Sequence, residues 1–304
     1  MKIGTDQYNT FDTMTMDCWN DRVYYEGKEF PAGHFAAEIL NFAGVIHDPL
    51  LERITVLTAL VDDLSTAEKS KRHDIAAQLK PLLHDTVSWL YTCPPFCYCE
   101  EQRAYEALEH ALSEERLDRD YEEEEAHLPY LALSFCEPIL RILVAIYNFC
   151  LLIRAFEKKY LRRAKRRNAD AFAKAAHECF DEDDSFLILL EQMPFGGVEE
   201  FFSYPRVITG FKYFQDENDE EKWKTAQRVI CRRTIDFYVF DLVNGLHHGH
   251  APSQCQGCGR YFLTTNGHIP KYCDGVAPQD SRYTCRQYGA MMHQKEQNKQ
   301  HPVY

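Results

Sequence analysis

The 304-residue chain lacks an apolar run long enough to cross a bilayer. Its longest, Ile142 to Ile153, is closed by Arg141 and Arg154. At about 1.5 Å per helical residue it covers roughly 18 Å of a roughly 30 Å hydrocarbon core. That predicts a buried helix and excludes a membrane span. No apolar h-region follows Met1-Lys-Ile-Gly-Thr-Asp, so a secretory leader is not expected and the setting is expected to be cytoplasmic. An excess of positive charge is missing too: the net charge of −13 argues against a protein that coats nucleic acid over its whole surface. Any such contact must come from a local basic patch. There is no 20–50-residue repeat, no P-loop and no dinucleotide fingerprint, and Gly196-Gly197 alone does not make a phosphate loop. No Ser-His-Asp set or carboxylate pair can be assigned from spacing, because such groups meet across a fold rather than along the chain. No catalytic residue is assigned.

What remains is an ordinary globular composition, 45% hydrophobic and 27% charged, with length enough for one or two domains. Twelve cysteines is a high count. In a long chain without a leader it fits reduced thiols and a metal site better than a disulfide framework.

Four of those cysteines lie in the last fifty residues: Cys255-Gln-Gly-Cys258-Gly-Arg-Tyr-Phe262, then Tyr272-Cys273, then Thr284-Cys285-Arg286. A CxxC knuckle turns two thiolates toward one point, and Gly257 and Gly259 allow the positive φ such a turn uses. Four soft thiolates suit tetrahedral Zn²⁺ at about 2.3 Å. We therefore expect a structural zinc held by Cys255, Cys258, Cys273 and Cys285, supplying much of the folding free energy of a segment too short for its own core. His268, lying between the pairs, is the alternative fourth ligand, and His247, His248 and His250 precede them. Asp274–Thr284 reads as a looped insertion. A closed site of this kind has no open position for substrate, so catalysis at the metal is not expected.

This run is similar to the zinc segment of bacterial CGNR-type fingers and related treble-clef modules. It looks closer still to an uncharacterised bacterial family, a domain of unknown function with a helical body and the same C-terminal cysteine segment. The likeness covers residues 255–296. The CGNR tetrapeptide itself is absent, Cys285 being followed by Arg286-Gln287-Tyr288. The resemblance implies zinc and a nucleic-acid role, and does not imply an enzyme.

The body reads as mainly α: a multi-helix unit over residues 1–250, followed by a small zinc-binding, treble-clef or ribbon-like module over 251–304. A short hairpin about Glu26-Gly27, near residues 22–31, is the one β element expected. Leu51, Ile54, Leu57, Val61 and Leu64 step by threes and fours along one helix face. Ser65-Thr-Ala-Glu68 has capping-box spacing for the next helix, which Pro81 should kink. A central helix is expected from Glu137 to about Arg167, apolar all round and then abruptly basic. A final helix is expected from Glu220 to Leu246, with Trp223, Ala226, Ile230, Thr234 and Phe237 as its stripe and Asn244-Gly245 as its stop. Phe201, Phe202, Tyr204, Phe211, Tyr213 and Phe214 read as core, with base stacking as the other use.

Charge is unevenly placed. Residues 154–167 carry eight cations against Glu157 alone, a balance of +7, whereas residues 100–125 carry twelve carboxylates against three arginines, a balance of −9. The nucleic-acid candidates are Arg162, Arg163, Arg166, Arg167, Arg260, Lys271 and Arg286. Three functions stay open: a DNA- or RNA-binding regulator; an interaction module or inhibitor whose acidic 100–125 face meets a basic protein partner; and a helical ribonuclease of the HEPN type, from the Arg103…His110 spacing. Cys93, Cys97 and Cys99 are three thiols in seven residues, read as a buried loop with a second metal as the alternative.

Overall fold

The computed structural model describes residues 13–42, 49–117, 130–164, 166–184, 206–216, 219–265, 267 and 270–300. The Glu122–Glu125 run, Lys165, the Met193–Gly197 loop, Phe201, Phe202, Tyr204 and His268 lie outside them.

The fold is mixed α/β, which corrects the mainly α expectation. Its first strands are β1 (Met14–Trp19), β2 (Arg22–Tyr25) and β3 (Lys28–Pro31). Glu26 and Gly27, at φ 46° and 72°, form the turn that joins β2 to β3, the left-handed pair that matches strand twist. Later come β4 (Val207–Asp216) and β5 (Asp219–Cys231), and the five strands form one antiparallel sheet in the order β3-β2-β1-β5-β4. The expected final helix is therefore half strand. Only Thr234–His247, here α8, is helical. The three- and four-residue spacing around Trp223 and Ala226 was accidental. Residues 207–214 and 225–231 are rich in β-branched and aromatic side chains, and long-range pairing with β1 decides their state.

Helices fill the rest of the body: α1 (His34–Glu38), α2 (Pro49–Thr66), α3 (Lys69–Leu90), α4 (Gln102–Ala111), α5 (Glu114–Leu117), α6 (Tyr130–Lys159) and α7 (Ala169–Phe180). In α2, Leu50, Ile54, Leu57, Val61 and Leu64 are buried. The capping box at 65–68 does not form: Ser65 Oγ bonds back to the Asp62 carbonyl at the end of α2, and Glu68 precedes α3. Pro81 is carried inside α3. The central helix α6 begins seven residues earlier than expected and contains Pro138. It ends at Lys159, and the basic residues beyond it begin with a single 3-10 turn, Leu161–Arg163, rather than continuing the α-helix. Against the run-length expectation, α6 with the turn after it is long and apolar enough to cross a membrane, because isolated polar residues do not interrupt its hydropathy. Yet 67% of its most apolar window is packed inside the body.

α8 organises the core around it. Phe237, Tyr238 and Val239 are fully buried. Asp241, also buried, accepts the backbone N–H of Gly33 and of Ala36, both at 2.9 Å, and so caps α1. Gly245 is no stop signal: it lies within α8 where a Cβ would stand 2.7 Å from the Gly33 Cα. On the outer face of the sheet, Asp17 of β1 joins Arg228 of β5 at 2.8 Å and Lys212 of β4 at 2.9 Å. Beyond this clasp the β4–β5 ribbon runs past the core. Phe211 and Tyr213 are 73% and 68% exposed, and Trp223 67%, so these are not the core residues they were expected to be.

After α8 the chain forms β6 (Ala251–Gln254) and β7 (Tyr261–Thr264), a hairpin packed on the body. Asn41 and Tyr261 exchange two hydrogen bonds, of 3.0 and 2.7 Å. His250 donates from Nδ1 to the Ala32 carbonyl at 2.9 Å. Ala251 and Tyr261 belong to the main core. The stretch expected as a looped insertion holds a second hairpin, β8 (Val276–Ala277) and β9 (Asp280–Thr284), which leads into α9 (Cys285–Gln300).

Candidate metal centre and the basic cleft beside it

The knuckle sits in the turn between β6 and β7. Cys255 directly follows β6, and its N–H bonds the Arg260 carbonyl at 2.8 Å while its carbonyl accepts from Gly259 at 2.9 Å. Only Gly259 takes a positive φ, 75°. Gly257 lies against the cluster: a Cβ there would stand 3.4 Å from the Cys285 sulfur, an ordinary contact distance. Cys285 opens α9, whose start is fixed by a reciprocal cap. The Thr284 hydroxyl accepts from Gln287 N–H at 3.2 Å, and Gln287 Oε1 accepts from Thr284 N–H at 2.9 Å. Two further bonds, Cys285 N–H to Gly275 and Arg286 N–H to Cys273, lock the helix start onto the loop bearing the third cysteine. At Gly289 a Cβ would stand 2.5 Å from the Tyr272 ring, so α9 lies directly on the residue before Cys273.

These contacts bring the sulfurs of Cys255, Cys258, Cys273 and Cys285 within 4.8 Å of one another. Cys258 and Cys273 are 3.6 Å apart. Sulfurs about 2.3 Å from a tetrahedral ion stand about 3.8 Å apart, so four thiolates here fit a metal with little movement. Three of the four are buried. The small cluster around them contains only Ala277 as a further buried apolar residue, too little to hold the segment by packing alone. His250, turned into the body, is not among these donors.

Thiol ionisation follows from the same geometry. Burial opposes it at Cys255, Cys273 and Cys285. At Cys255 the backbone N–H groups of Cys273, Cys258 and Gly257 outweigh burial and bring the thiol down to about 7. Cys273 is pushed up to about 11, and Cys285 higher, by burial and then by the neighbouring thiols. A divalent cation removes that repulsion, and a coordinating thiol is deprotonated outright.

Of the seven candidate cations, three line one cleft of about 400 Å³ between Leu161, Arg162 and Arg167 on one side and the knuckle on the other: Arg162, Arg167 and Lys271. Arg162 donates twice from Nε to buried Glu157, at 2.9 and 3.1 Å, and from Nη2 to Gln254 Oε1 at 2.7 Å. Arg167 is only 4% exposed and donates from Nη1 to Ser253 Oγ at 3.2 Å. The other four lie apart from this lining. Arg163 and Arg166 are exposed on the turn, Arg260 is exposed beyond Gly259, and Arg286 pairs with Asp274 at 3.0 Å. The burial of Arg167 had no sequence signal, because its partner Ser253 lies 86 positions away. The Thr284-x-x-Gln287 cap did have one, and it went unread.

The remaining candidates are scattered. Cys93 is buried and donates to the Trp89 carbonyl, Cys99 contacts the Tyr25 hydroxyl at 3.3 Å, and Cys97 is exposed. Among the described residues, the group of cysteines able to hold a metal is the C-terminal one. Arg103 is exposed and pairs with Glu100 at 3.4 Å.

No curated protein and no solved structure matches the chain. The likeness to CGNR-type fingers stays at the level of cysteine spacing. Residues 203–304, a stretch that takes in the β4–β5 ribbon, α8 and all four clustered cysteines, match the model of a family of unknown function, DUF6076.

Proposed function

We propose that the protein is a zinc-stapled, nucleic-acid-binding regulator or accessory factor of the cytoplasm. The observation that carries this reading is the convergence of three cations from two distant stretches beside the four-cysteine cluster. A Zn²⁺ on Cys255, Cys258, Cys273 and Cys285 holds the knuckle in place and takes no part in chemistry, since all four positions are filled by protein. Arg162, Arg167 and Lys271 then meet backbone phosphates, with Arg163, Arg166 and Arg260 at the margin. The body sets the acidity of the whole, which keeps binding local.

The test is the salt dependence of binding to single- and double-stranded DNA and RNA by the zinc-loaded chain. Each phosphate contact contributes a slope of about −0.7 to −0.9 in log K against log salt, so three contacts give roughly −2 to −3. A flat dependence, or no binding at low salt, removes the reading.

A protein-interaction role is the second reading, supported by the ribbon face on which Phe211, Tyr213 and Trp223 are two-thirds or more exposed. Aromatic residues of this kind anchor protein interfaces. A protein partner whose binding is lost in Trp223→Ala, while nucleic acid is not bound, would favour it.

A further inference from the structure

We infer that β4 is an interface strand, pairing antiparallel with β4 of a second copy of this chain about a two-fold axis at Phe211. The inference rests on the sheet edge and needs neither the metal nor the basic cleft. It deepens the protein-interaction reading above by naming the partner.

The five-stranded sheet ends in two unlike edges, β3 and β4. β3 is four residues long and closes on Pro31, the kind of short, proline-bearing edge that resists pairing. β4 is ten residues long, has no proline, and carries Lys212 as its one charge before Asp216. Residues 208–213 and 215 are exposed and Val207 and Phe214 half-buried, so the strand is open to solvent along its length. Among the described residues its backbone pairs with β5 alone, which leaves alternate N–H and C=O groups along the outer edge without a partner in the sheet. Such a row is a template for another strand.

The strand that fits this edge is β4 itself. A two-fold axis normal to the sheet pairs residues equally spaced before and after the axis, and keeps each side chain on its own face. Axes at 211 and 212 pair the longest stretches of the strand, 207–215 and 208–216. An axis at 212 sets Lys212 against its own copy, like charge on like, which is unfavourable. An axis at 211 opposes no like charges. On one face it sets Phe211 against Phe211 and Thr209 against Tyr213; on the other, Ile208 against Phe214 and Gly210 against Lys212. Just beyond, position 216, an aspartate, falls opposite position 206, an arginine, at both ends of the joint. Aromatic pairs and opposite charges across strands both favour pairing, and the main chain adds about one hydrogen bond per residue pair. A segment of another protein would meet the same backbone groups, but here the strand's own sequence supplies the match.

Sedimentation of the metal-loaded full chain over roughly 0.1–100 µM should show a concentration-dependent equilibrium between monomer and dimer. Phe211→Lys and Phe211→Glu each place like charges on the axis, and each should weaken the dimer about tenfold or more. Mixed in equal amounts, the two variants place opposite charges there and should recover the dimer, a rescue that an axis elsewhere does not give. Trp223→Lys is the control: its position faces Gln215 inside the ribbon, away from the outer edge, and it should dimerise as wild type does. Melting temperatures of the single variants, taken where the chain is monomeric, should match wild type, because Phe211 is 73% exposed in the single chain. A wild type that stays monomeric throughout overturns the inference; if that monomer still binds a different protein through Trp223, the interaction reading survives it. A wild-type dimer unmoved by both Phe211 substitutions, or one that their mixture fails to restore, overturns it equally, because the contact then lies elsewhere.

Discussion

At the scale of single residues, the metal centre and the glycines carry the sharpest consequences. Replacing Cys258 with Ser removes one of four thiolates. Metal affinity should then fall by more than the roughly 10–100-fold that loss of a ligand's hydrogen-bond partner costs, read by competition with a chromophoric chelator. Because the ligating thiols must lose their protons and Cys273 and Cys285 hold theirs well above neutrality, metal binding should release protons and weaken steeply as pH falls. Calorimetry in two buffers of different ionisation enthalpy measures that release; equal heats in both buffers would contradict it. Gly245→Ala drives a Cβ to 2.7 Å from the Gly33 backbone and should destabilise by about 1–3 kcal/mol. Gly210, with open space around it, should accept Ala within about 0.5 kcal/mol. Equal melting temperatures for the two variants would contradict the close approach of α8 to the start of α1.

At the scale of elements, what could be read from the chain divides by the range of the interactions involved. The α2 stripe, the buried apolar helix and the Glu26-Gly27 turn follow from neighbours a few positions apart, and they were legible. The cysteine cluster was legible because ligand type and spacing are themselves the signal. Strand β5 was not. Its residues satisfy helical spacing locally, and only pairing with β1, more than 200 positions earlier, settles their state. Asp17 illustrates the point: nothing near it in sequence announces that it will meet Lys212 and Arg228 across the sheet. Both cations are half exposed at their ends, so the clasp aligns β4 and β5 on β1 more than it stabilises them. The ribbon beyond it makes a clear prediction. Phe211→Thr and Trp223→Thr should each change stability by less than about 0.5 kcal/mol in thermal or denaturant unfolding. A loss of several kcal/mol would mean that these rings are covered.

At the scale of the whole molecule, two kinds of cohesion meet in the last fifty residues. The β6–β7 hairpin belongs to the body through Tyr261, Ala251 and the Asn41 bonds. The stretch from Lys271 through α9 has two of the four clustered cysteines and almost no apolar core. Chelation should therefore expose the amides of 271–300 to hydrogen exchange while those of β6, β7 and α8 stay protected. Loss of protection throughout would mean that the metal holds the body together as well. The basic cleft spans this division, since one wall comes from Leu161, Arg162 and Arg167 and the other from the knuckle. The decisive measurement is metal analysis of the purified chain, wild type beside Cys258→Ser and Cys273→Ser. One zinc per chain in the wild type and close to none in either variant is the predicted result; a metal-free wild type with a fully protected α9 would contradict it.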